Sequence, residues 1–151
     1  MKTVKGIGDA KATVIYAAIE FGRRKFKKSV KPIITTPEAA AAQFEAIRRQ
    51  NREHFAIITL DGARRVINYH LITVGTINAS IVHPREVFAP AIEDRAASVI
   101  AAHNHPGGTL DVSAQDLEVT RRLRDAGELL GIILDDHIIV TEDGHASINA
   151  R

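Results

Sequence analysis

One stretch of the chain, residues 98–116, constrains the fold more than any other. It begins with the apolar run Ser-Val-Ile-Ala-Ala, which predicts a short buried strand. His103 and His105 follow where that strand ends, and residues two apart on a strand point to the same face of the sheet. Because a Pro-Gly-Gly sequence at 106–108 then turns the chain, the pattern predicts a strand, a tight turn and a helix in immediate succession.

The predicted helix brings a carboxylate back to the two imidazoles. Ser113 is well placed to begin this helix, and Asp116 lies in its first turn, where it can point at the strand exit. Two ring nitrogens and one carboxylate oxygen, in a chain without cysteine, suit zinc with a fourth position left for water. Such an open site is typical of catalytic rather than structural zinc.

The same residues also have a purely local explanation. Ser113 and Asp116 have the spacing of a capping box, and an acidic residue in the first turn suits the helix dipole. Since the chain contains seven histidines, one pair at a spacing of two is a weak signal by itself. The metal-site hypothesis therefore rests on the coincidence of strand exit, paired histidines, tight turn and acidic residue in one short segment.

The segment resembles the JAMM motif of the JAB/MPN zinc metallopeptidases and fits the pattern H-x-H-P-x-G-x(4)-S-x-x-D without a gap. Other phrases are similar to the bacterial RadC subgroup of that family, namely Gly75-Thr76, His103 to Gly108, Asp116 to Thr120 and Leu130 to Val140. The resemblance covers about residues 36–151. It implies an α/β fold of the cytidine-deaminase-like kind, in which helices flank a mixed β-sheet.

Carried over position by position, the resemblance implies zinc as the cofactor, with His103, His105 and Asp116 as its ligands. Ser113 matches the serine that assists at the oxyanion. The implied activity is that of a metallopeptidase or isopeptidase, in which a metal-activated water hydrolyses a peptide or isopeptide amide.

The family also uses an upstream glutamate as general base, and the candidate here is Glu53, just before the apolar run 55–60. The residues alone favour a solvated acid at the end of a helix at this position, so the assignment comes from the resemblance. Glu45 and Glu38 lie inside the preceding helix pattern and are less well placed. His137 lies in a segment that matches the subgroup, and we expect a satisfied core histidine or a partner of a metal ligand there.

Charge is divided unevenly along the chain. Residues 1–31 hold nine Lys and Arg against two Asp and Glu, whereas the other 120 residues hold 11 against 16. A basic arm on an acidic body favours an anionic partner, nucleic acid being the usual one. A solvated, lysine-rich linker explains the same charges equally well.

The phrase Gly6-Ile7-Gly8 within the arm resembles the second half of a helix-hairpin-helix, which grips the DNA backbone and precedes the JAMM domain in RadC-like proteins. Only five residues come before Gly6, so the first helix of the hairpin is not encoded here. We therefore expect either a piece of a longer protein or a vestigial hairpin, with at most weak, non-specific DNA contact through residues 1–31.

Composition sets outer bounds on the remaining possibilities. A chain of 151 residues can bury one core and a short appendage. The resemblance implies that these are a JAB/MPN zinc-dependent domain at 36–151 and a basic helical segment, similar to part of a helix-hairpin-helix, at 1–31. The lack of cysteine excludes disulfides, thiolate zinc sites and the zinc deaminases that need a P-C-x-x-C sequence. Without a long apolar run or a signal-peptide pattern, the expected location is the cytoplasm, away from membranes.

Periodicity and turn signals predict the order of elements. Helices are expected at 9–27, 35–51, 84–97 and 113–130, and strands at 55–60, 66–74, 77–82, 98–102, 132–141 and 146–149. Thr35 and Glu38 have capping-box spacing for the second helix, and Ile92 is expected to face inward on the third. The predicted buried face of the fourth helix consists of Leu117, Thr120, Leu123, Ala126 and Leu130.

Two other classes of function stay open at this stage. One is a DNA-repair-associated protein of the RadC type that binds nucleic acid through its N-terminal segment. The other is a metal-free interaction module, against which the intact set of ligands argues.

Overall fold

A computed structural model describes residues 8–26, 31–75 and 82–148. The chain divides into two compact units, Met1–Val30 and Lys31–Arg151. Among the described residues, the first unit consists of helix α1 (Asp9–Phe26), on which Val14, Tyr16 and Phe21 are exposed. No helix in the described part of the chain has the length and apolar character needed to cross a bilayer.

The second unit is built on a five-stranded sheet. Its strands are β1 (His54–Leu60), β2 (Val66–Val74), β3 (Ser98–Asn104), β4 (Ile133–Val140) and β5 (His145–Ser147). They are arranged in the order β2-β1-β3-β4-β5. β3 and β4 are parallel, and the other three neighbouring pairs are antiparallel. The predicted mixed sheet is therefore confirmed.

Helices cover both faces of this sheet. They are α2 (Pro37–Ala41), a 3-10 turn at Ala42–Phe44, α3 (Glu45–Arg48), α4 (Pro84–Glu93) and α5 (Ala114–Leu130). One apolar cluster joins α4 and α5 to odd-numbered residues of β1 and β3, such as Phe55 and Val99. A second cluster joins α2 and α3 to the even-numbered residues, such as Ile58 and Ile100. The continuous apolar runs of β1 and β3 thus reflect burial on both faces.

Two predicted helices are shorter or more broken than expected. The helix predicted at 35–51 consists of two short helices and the 3-10 turn, and its N-cap is Thr36 rather than Thr35. The Thr36 hydroxyl accepts a hydrogen bond from the Ala39 amide at 3.2 Å. α4 ends at Glu93 instead of continuing to 97, because Arg95 adopts a left-handed conformation with φ 53°. Ile92, expected to face inward, is 56% exposed.

α5 agrees with the predicted boundaries, but its buried face is rotated from the predicted one. Leu117 and Leu130 are 54% and 49% exposed, whereas the buried residues are Asp116, Val119, Thr120, Leu123 and Gly127. The buried side is the one that carries Asp116 toward β3. The prediction was right for Thr120 and Leu123 and left out Asp116, Val119 and Gly127.

The remaining strand predictions agree to within one or two residues where the structure describes them. The strand predicted at 77–82 falls almost wholly on residues 76–81, which lie outside the described residues. Val82 is buried in a bend just before α4 and packs in the cluster between the sheet and that helix.

Candidate metal centre

The end of β3 carries the two predicted histidine ligands. His103 is 1% exposed and lies on the sheet face covered by α4 and α5, with its ring stacked on Phe55. His105 follows the strand, and its amide donates to the Val140 carbonyl of β4 at 3.2 Å. The two Nε2 atoms of His103 and His105 are 3.0 Å apart. The strand therefore delivers both imidazoles to one point, as the spacing predicts.

α5 supplies the carboxylate. Asp116 is buried in the first turn, with Oδ1 3.1 Å from His103 Nε2 and Oδ2 3.8 Å from His105 Nε2. Among the described residues, His103, His105 and Asp116 form a group whose ligand atoms all lie within 4.8 Å of one another, close enough to hold a metal ion.

These separations suit a tetrahedral ion. With bonds of about 2.0–2.1 Å to nitrogen and oxygen, the ligand atoms of tetrahedral zinc are about 3.3 Å apart. The two Nε2 atoms are 3.0 Å apart, close to that value. The contacts of 3.1 and 3.8 Å to Asp116 involve its two different oxygens, and a single ligand atom from each residue lies within 4.8 Å of the other two. Two imidazoles and one carboxylate are also a donor set of catalytic zinc sites, in which the fourth position stays open.

The outer nitrogens of both rings have hydrogen-bond partners of their own. His105 Nδ1 donates to the Thr109 carbonyl at 2.9 Å. This contact depends on the tight turn at Gly108, whose φ of 79° favours glycine. His103 Nδ1 lies 2.9 Å from Nε2 of His137. With both Nδ1 atoms engaged, the Nε2 atoms are the ones turned to the centre.

Ser113 and Asp116 form a capping box at the start of α5. The Ser113 hydroxyl accepts from the Asp116 amide at 3.1 Å and donates to Asp116 Oδ2 at 2.6 Å, and the Ser113 amide donates to the same oxygen at 2.8 Å. The local explanation and the metal-site hypothesis therefore hold together, because the cap orients the carboxylate that faces the histidines.

The same contacts keep Asp116 ionised. Burial by itself would raise the pKa of this carboxyl, but the hydrogen bond and charge of His103 and the hydrogen bonds of Ser113 outweigh burial. The pKa of Asp116 is consequently held well below its usual range. An ionised carboxylate is the form that binds a metal.

Glu53 lies immediately before β1. β1 and β3 are antiparallel with Phe55 opposite His103, and Glu53 precedes Phe55 by two residues just as His105 follows His103 by two. Glu53 also lines a cleft of about 570 Å³ together with Pro106 and Gly107, which directly follow His105. The predicted base therefore shares this opening with the turn after the histidines, whereas the three predicted ligands are not among its described lining residues.

The other two glutamates considered as bases lie elsewhere. Glu45 and Glu38 are in α3 and α2, which pack on the opposite face of the sheet from His103. Glu45 is largely exposed and pairs with Arg48 at 3.1 Å. Both are therefore remote from the face that carries the histidines.

Asn104, between the two histidines, was missed in the sequence analysis. Its side chain is fully buried: Oδ1 accepts from the His54 amide at 2.7 Å, and Nδ2 donates to the Gln50 and Arg52 carbonyls at 3.1 and 3.0 Å. Asn104 therefore ties the backbone on both sides of Glu53 to β3. The only signal in the sequence was a polar residue inside a buried strand.

His137, on β4, lies directly behind His103. It is fully buried, and its Nδ1 is 2.6 Å from the Thr120 hydroxyl of α5. Burial, together with the charge of His103, lowers the pKa of His137 well below its usual range. His137 is thus a partner of a ligand as well as a core residue, which were the two roles expected for it.

Comparison with known proteins places these features in a family. The family model described as RadC-like JAB domain matches residues 34–151. A UPF0758 protein of Syntrophotalea carbinolica is 42% identical over 154 residues, covering all of this chain and 68% of the relative. A UPF0758 protein of Shouchella clausii is 47% identical and is covered to 67%. A third, from Rubrobacter xylanophilus, is 45% identical over 145 residues, which are 94% of this chain and 64% of the relative.

Proposed function

The chain belongs to the family of RadC-like JAB domains, and from that premise we propose that it is a zinc-dependent amide hydrolase acting on peptide or isopeptide bonds. The observation that carries this proposal is the convergence of His103, His105 and Asp116 at the end of β3. Glu53 lines a cleft with Pro106 and Gly107, the two residues that follow His105. Two imidazoles and a buried, ionised carboxylate whose ligand atoms face one another argue against a metal-free interaction module, because protein binding alone does not require such a group.

His103 and His105, through Nε2, and Asp116, through its carboxylate, would hold the ion. Zinc bound there supplies an activated water and a positive charge beside the substrate carbonyl. Glu53 accepts the proton of the attacking water and later delivers it to the leaving amine. Because the Ser113 hydroxyl donates to Asp116 in this structure, it must turn away from that carboxylate to stabilise the oxyanion of the substrate.

The first test of this proposal is metal content. The His103→Ala and Asp116→Ala variants should purify with far less than one zinc per chain, whereas Glu53→Gln should retain the metal, because Glu53 is assigned as a base and not as a ligand. His145→Ala is the matched control, since His145 lies on β5 and pairs with Glu38 instead of the centre. Zinc would be measured by atomic emission after equilibration with a defined free-zinc buffer.

The second test is hydrolysis. Wild-type protein should cleave members of a quenched-fluorescence peptide mixture or isopeptide-linked substrates, and a chelator should abolish cleavage until zinc is restored. A wild-type chain that binds no transition metal after reconstitution would remove the basis of the proposal. Equal zinc loss in all three site variants would instead contradict the roles assigned to the residues.

A further inference from the structure

We propose that Thr120 and His137 are positioning residues that hold His103 in the tautomer whose Nε2 is free to bind the metal. This inference rests on the proposed function, since it concerns the same centre. It starts from the chain of contacts behind His103, where Thr120, His137 and His103 follow one another at 2.6 and 2.9 Å.

The Thr120 hydroxyl fixes the direction of this chain. Its Oγ1 lies 2.6 Å from the Asp116 backbone carbonyl and 2.6 Å from His137 Nδ1. A carbonyl oxygen can only accept a hydrogen bond, so the single hydroxyl proton of Thr120 goes to Asp116. His137 Nδ1 must then carry a proton and donate it to Thr120 Oγ1.

The second nitrogen of His137 follows from the first. A His103 ring that binds a metal through Nε2 carries its proton at Nδ1, so the 2.9 Å contact then requires His137 Nε2 to be the acceptor. A neutral imidazole protonated at Nδ1 has a lone pair at Nε2. That lone pair accepts from His103 Nδ1, 2.9 Å away, so the metal would bind His103 at Nε2, on the side of His105 and Asp116. The proton that His103 Nε2 shares with Asp116 in the metal-free chain is released when the ion binds.

His103 needs this arrangement more than His105 does. The Nδ1 of His105 reaches a backbone carbonyl in the loop after β3, that of Thr109. His103 lies within β3, whose backbone pairs with β1 and β4, so its Nδ1 depends on a side-chain acceptor from the next strand. Because Thr120 donates to the backbone of Asp116, the chain of contacts also couples two of the ligands to each other.

Thr120→Val tests the inference, because valine keeps the shape of threonine and removes the hydroxyl. We expect zinc affinity, measured by competition with a chromophoric chelator, to fall by about ten- to a hundredfold, the usual scale for a partner of a metal ligand. Thr120→Ser keeps the hydroxyl and should remain within a few-fold of wild type. Thr59→Val is the matched control, since Thr59 is equally buried but donates to Asp94, away from the centre.

A merely structural role for Thr120 predicts a different result. Thr120→Val would then lower the unfolding temperature of the metal-free protein, as is expected for Thr59→Val. The affinity for zinc would stay at the wild-type value. Unchanged affinity in a folded Thr120→Val variant would overturn the inference and leave the proposed function intact. Absence of zinc binding by the wild-type protein would overturn both.

A direct measurement needs no variant. Long-range proton–nitrogen NMR of the zinc-bound wild-type protein should show His137 protonated at Nδ1 only, and His103 protonated at Nδ1 with Nε2 bound to the metal. A proton on Nε2 of His137 would contradict the inference, whatever the affinity of the Thr120 variants.

Discussion

The contacts around Glu53 and Ser113 lead to different predictions for these two residues. Asn104 holds the backbone on either side of Glu53, so a change of the Glu53 carboxylate to an amide should leave the local structure intact. Ser113 has a second task, since it caps α5 and orients Asp116. Substitution of Glu53 is therefore expected to affect catalysis alone, whereas substitution of Ser113 should affect both catalysis and the position of Asp116.

Glu53→Gln should lower the rate of amide hydrolysis by about a hundredfold or more, the usual scale for a general base, without loss of zinc. Steady-state kinetics on the peptide identified for the wild-type protein would measure it, with Glu45→Gln on the opposite side of the sheet as the matched control. Unchanged turnover in Glu53→Gln would point to another base.

Ser113→Ala should lose a comparable factor in turnover, the scale for one oxyanion donor, and also about 1 kcal/mol of stability through loss of the N-cap. Ser113→Thr keeps a hydroxyl and a competent cap, so it should recover most of both. Turnover and denaturant unfolding measured on the same preparations would separate the two effects. A loss of stability without any loss of turnover would restrict Ser113 to the capping role.

The grouping of His103, His105 and Asp116 could be predicted from the sequence because a strand, a turn and one helical turn bring them together within 14 residues. The residues that support them could not be predicted in the same way. His137 is 34 positions from His103, and the Arg52 carbonyl is 52 positions from the Asn104 amide that it accepts from. Such contacts depend on the order of strands in the sheet, which no local pattern specifies.

Among the elements, α5 and β4 are joined by a close approach of backbone to backbone. Gly131 directly follows α5 and has a left-handed φ of 69°. The Ile132 amide then donates to the Gly127 carbonyl at 3.0 Å. A Cβ on Gly127 would lie 2.4 Å from the Ile132 carbonyl oxygen and 3.1 Å from the Phe88 ring. Gly127 thus permits the tight turn that brings β4 beside β3.

Gly127→Ala should therefore destabilise the protein, although alanine is normally better than glycine inside a helix by about 1 kcal/mol. The clash is with backbone, which cannot rotate away, and we expect a net loss of about 1–3 kcal/mol. Gly22→Ala in α1 has open space around the new Cβ and should leave the main transition unchanged. Chemical denaturation followed by circular dichroism compares the two; a stabilised Gly127→Ala would show that the turn can relax.

One carboxylate at the end of α4 links that helix to the sheet by hydrogen bonds. Asp94 accepts from Thr59 and His70 at 2.6 and 2.7 Å and from Asn68 at 2.6 Å, which links α4 to β1 and β2. Burial by itself would raise the pKa of Asp94, but these hydrogen bonds outweigh it and hold the pKa below the usual 3.8. The ionised form is therefore favoured by folding.

A carboxylate with a lowered folded-state pKa stabilises the protein above its unfolded-state pKa, and that contribution disappears as the pH falls through the folded-state value. Asp94→Asn should accordingly be less stable than wild type at neutral pH, and the difference should shrink below about pH 4. Urea unfolding across that pH range measures the difference. Asp143→Asn, in the exposed turn before β5, is the control variant. A difference independent of pH would mean that Asp94 contributes through shape rather than charge.

The elements differ in how far their patterns predicted them. β1 and β3 are covered on both faces, so their apolar runs identified them without ambiguity. The buried face of α5 was predicted correctly at Thr120 and Leu123 and wrongly at Leu117 and Leu130, because Asp116 takes a place on the face that apolar residues usually fill. The buried face of α5 is therefore also the face that carries Asp116, a predicted ligand.

At the scale of the whole molecule, charge is divided between the N-terminal segment and the rest of the chain. Residues 1–31 carry a surplus of seven positive charges, and the rest of the chain carries a surplus of five negative ones. We propose that any affinity for DNA resides in residues 1–31, because the acidic remainder repels phosphate. Binding of this kind is non-specific and weakens steeply with salt, since it depends on counterion release.

The chain should therefore bind labelled duplex weakly at low salt, and binding should fall sharply between about 50 and 200 mM salt. Replacing Lys2, Lys5 and Lys11 by glutamine should weaken binding and reduce its salt dependence. The matched control replaces Arg121, Arg122 and Arg124 of α5 by glutamine, removing the same charge from the acidic unit. Salt-resistant binding, or equal losses in the two triple variants, would contradict an electrostatic arm and favour a nucleic-acid function for the whole chain.

The parallel pairing of β3 with β4 affects the order in which the parts of the proposed metal centre come together during folding. The three ligands lie in one local stretch that can close early, because short loops cost little entropy. His137 arrives only when β4 docks beside β3 after the whole of α5 has crossed over, and such long-range pairing is slow. During refolding in the presence of zinc, we therefore expect an early complex from which zinc dissociates fast, followed by the folded complex from which zinc dissociates slowly. The first complex should convert to the second at the rate at which the sheet forms.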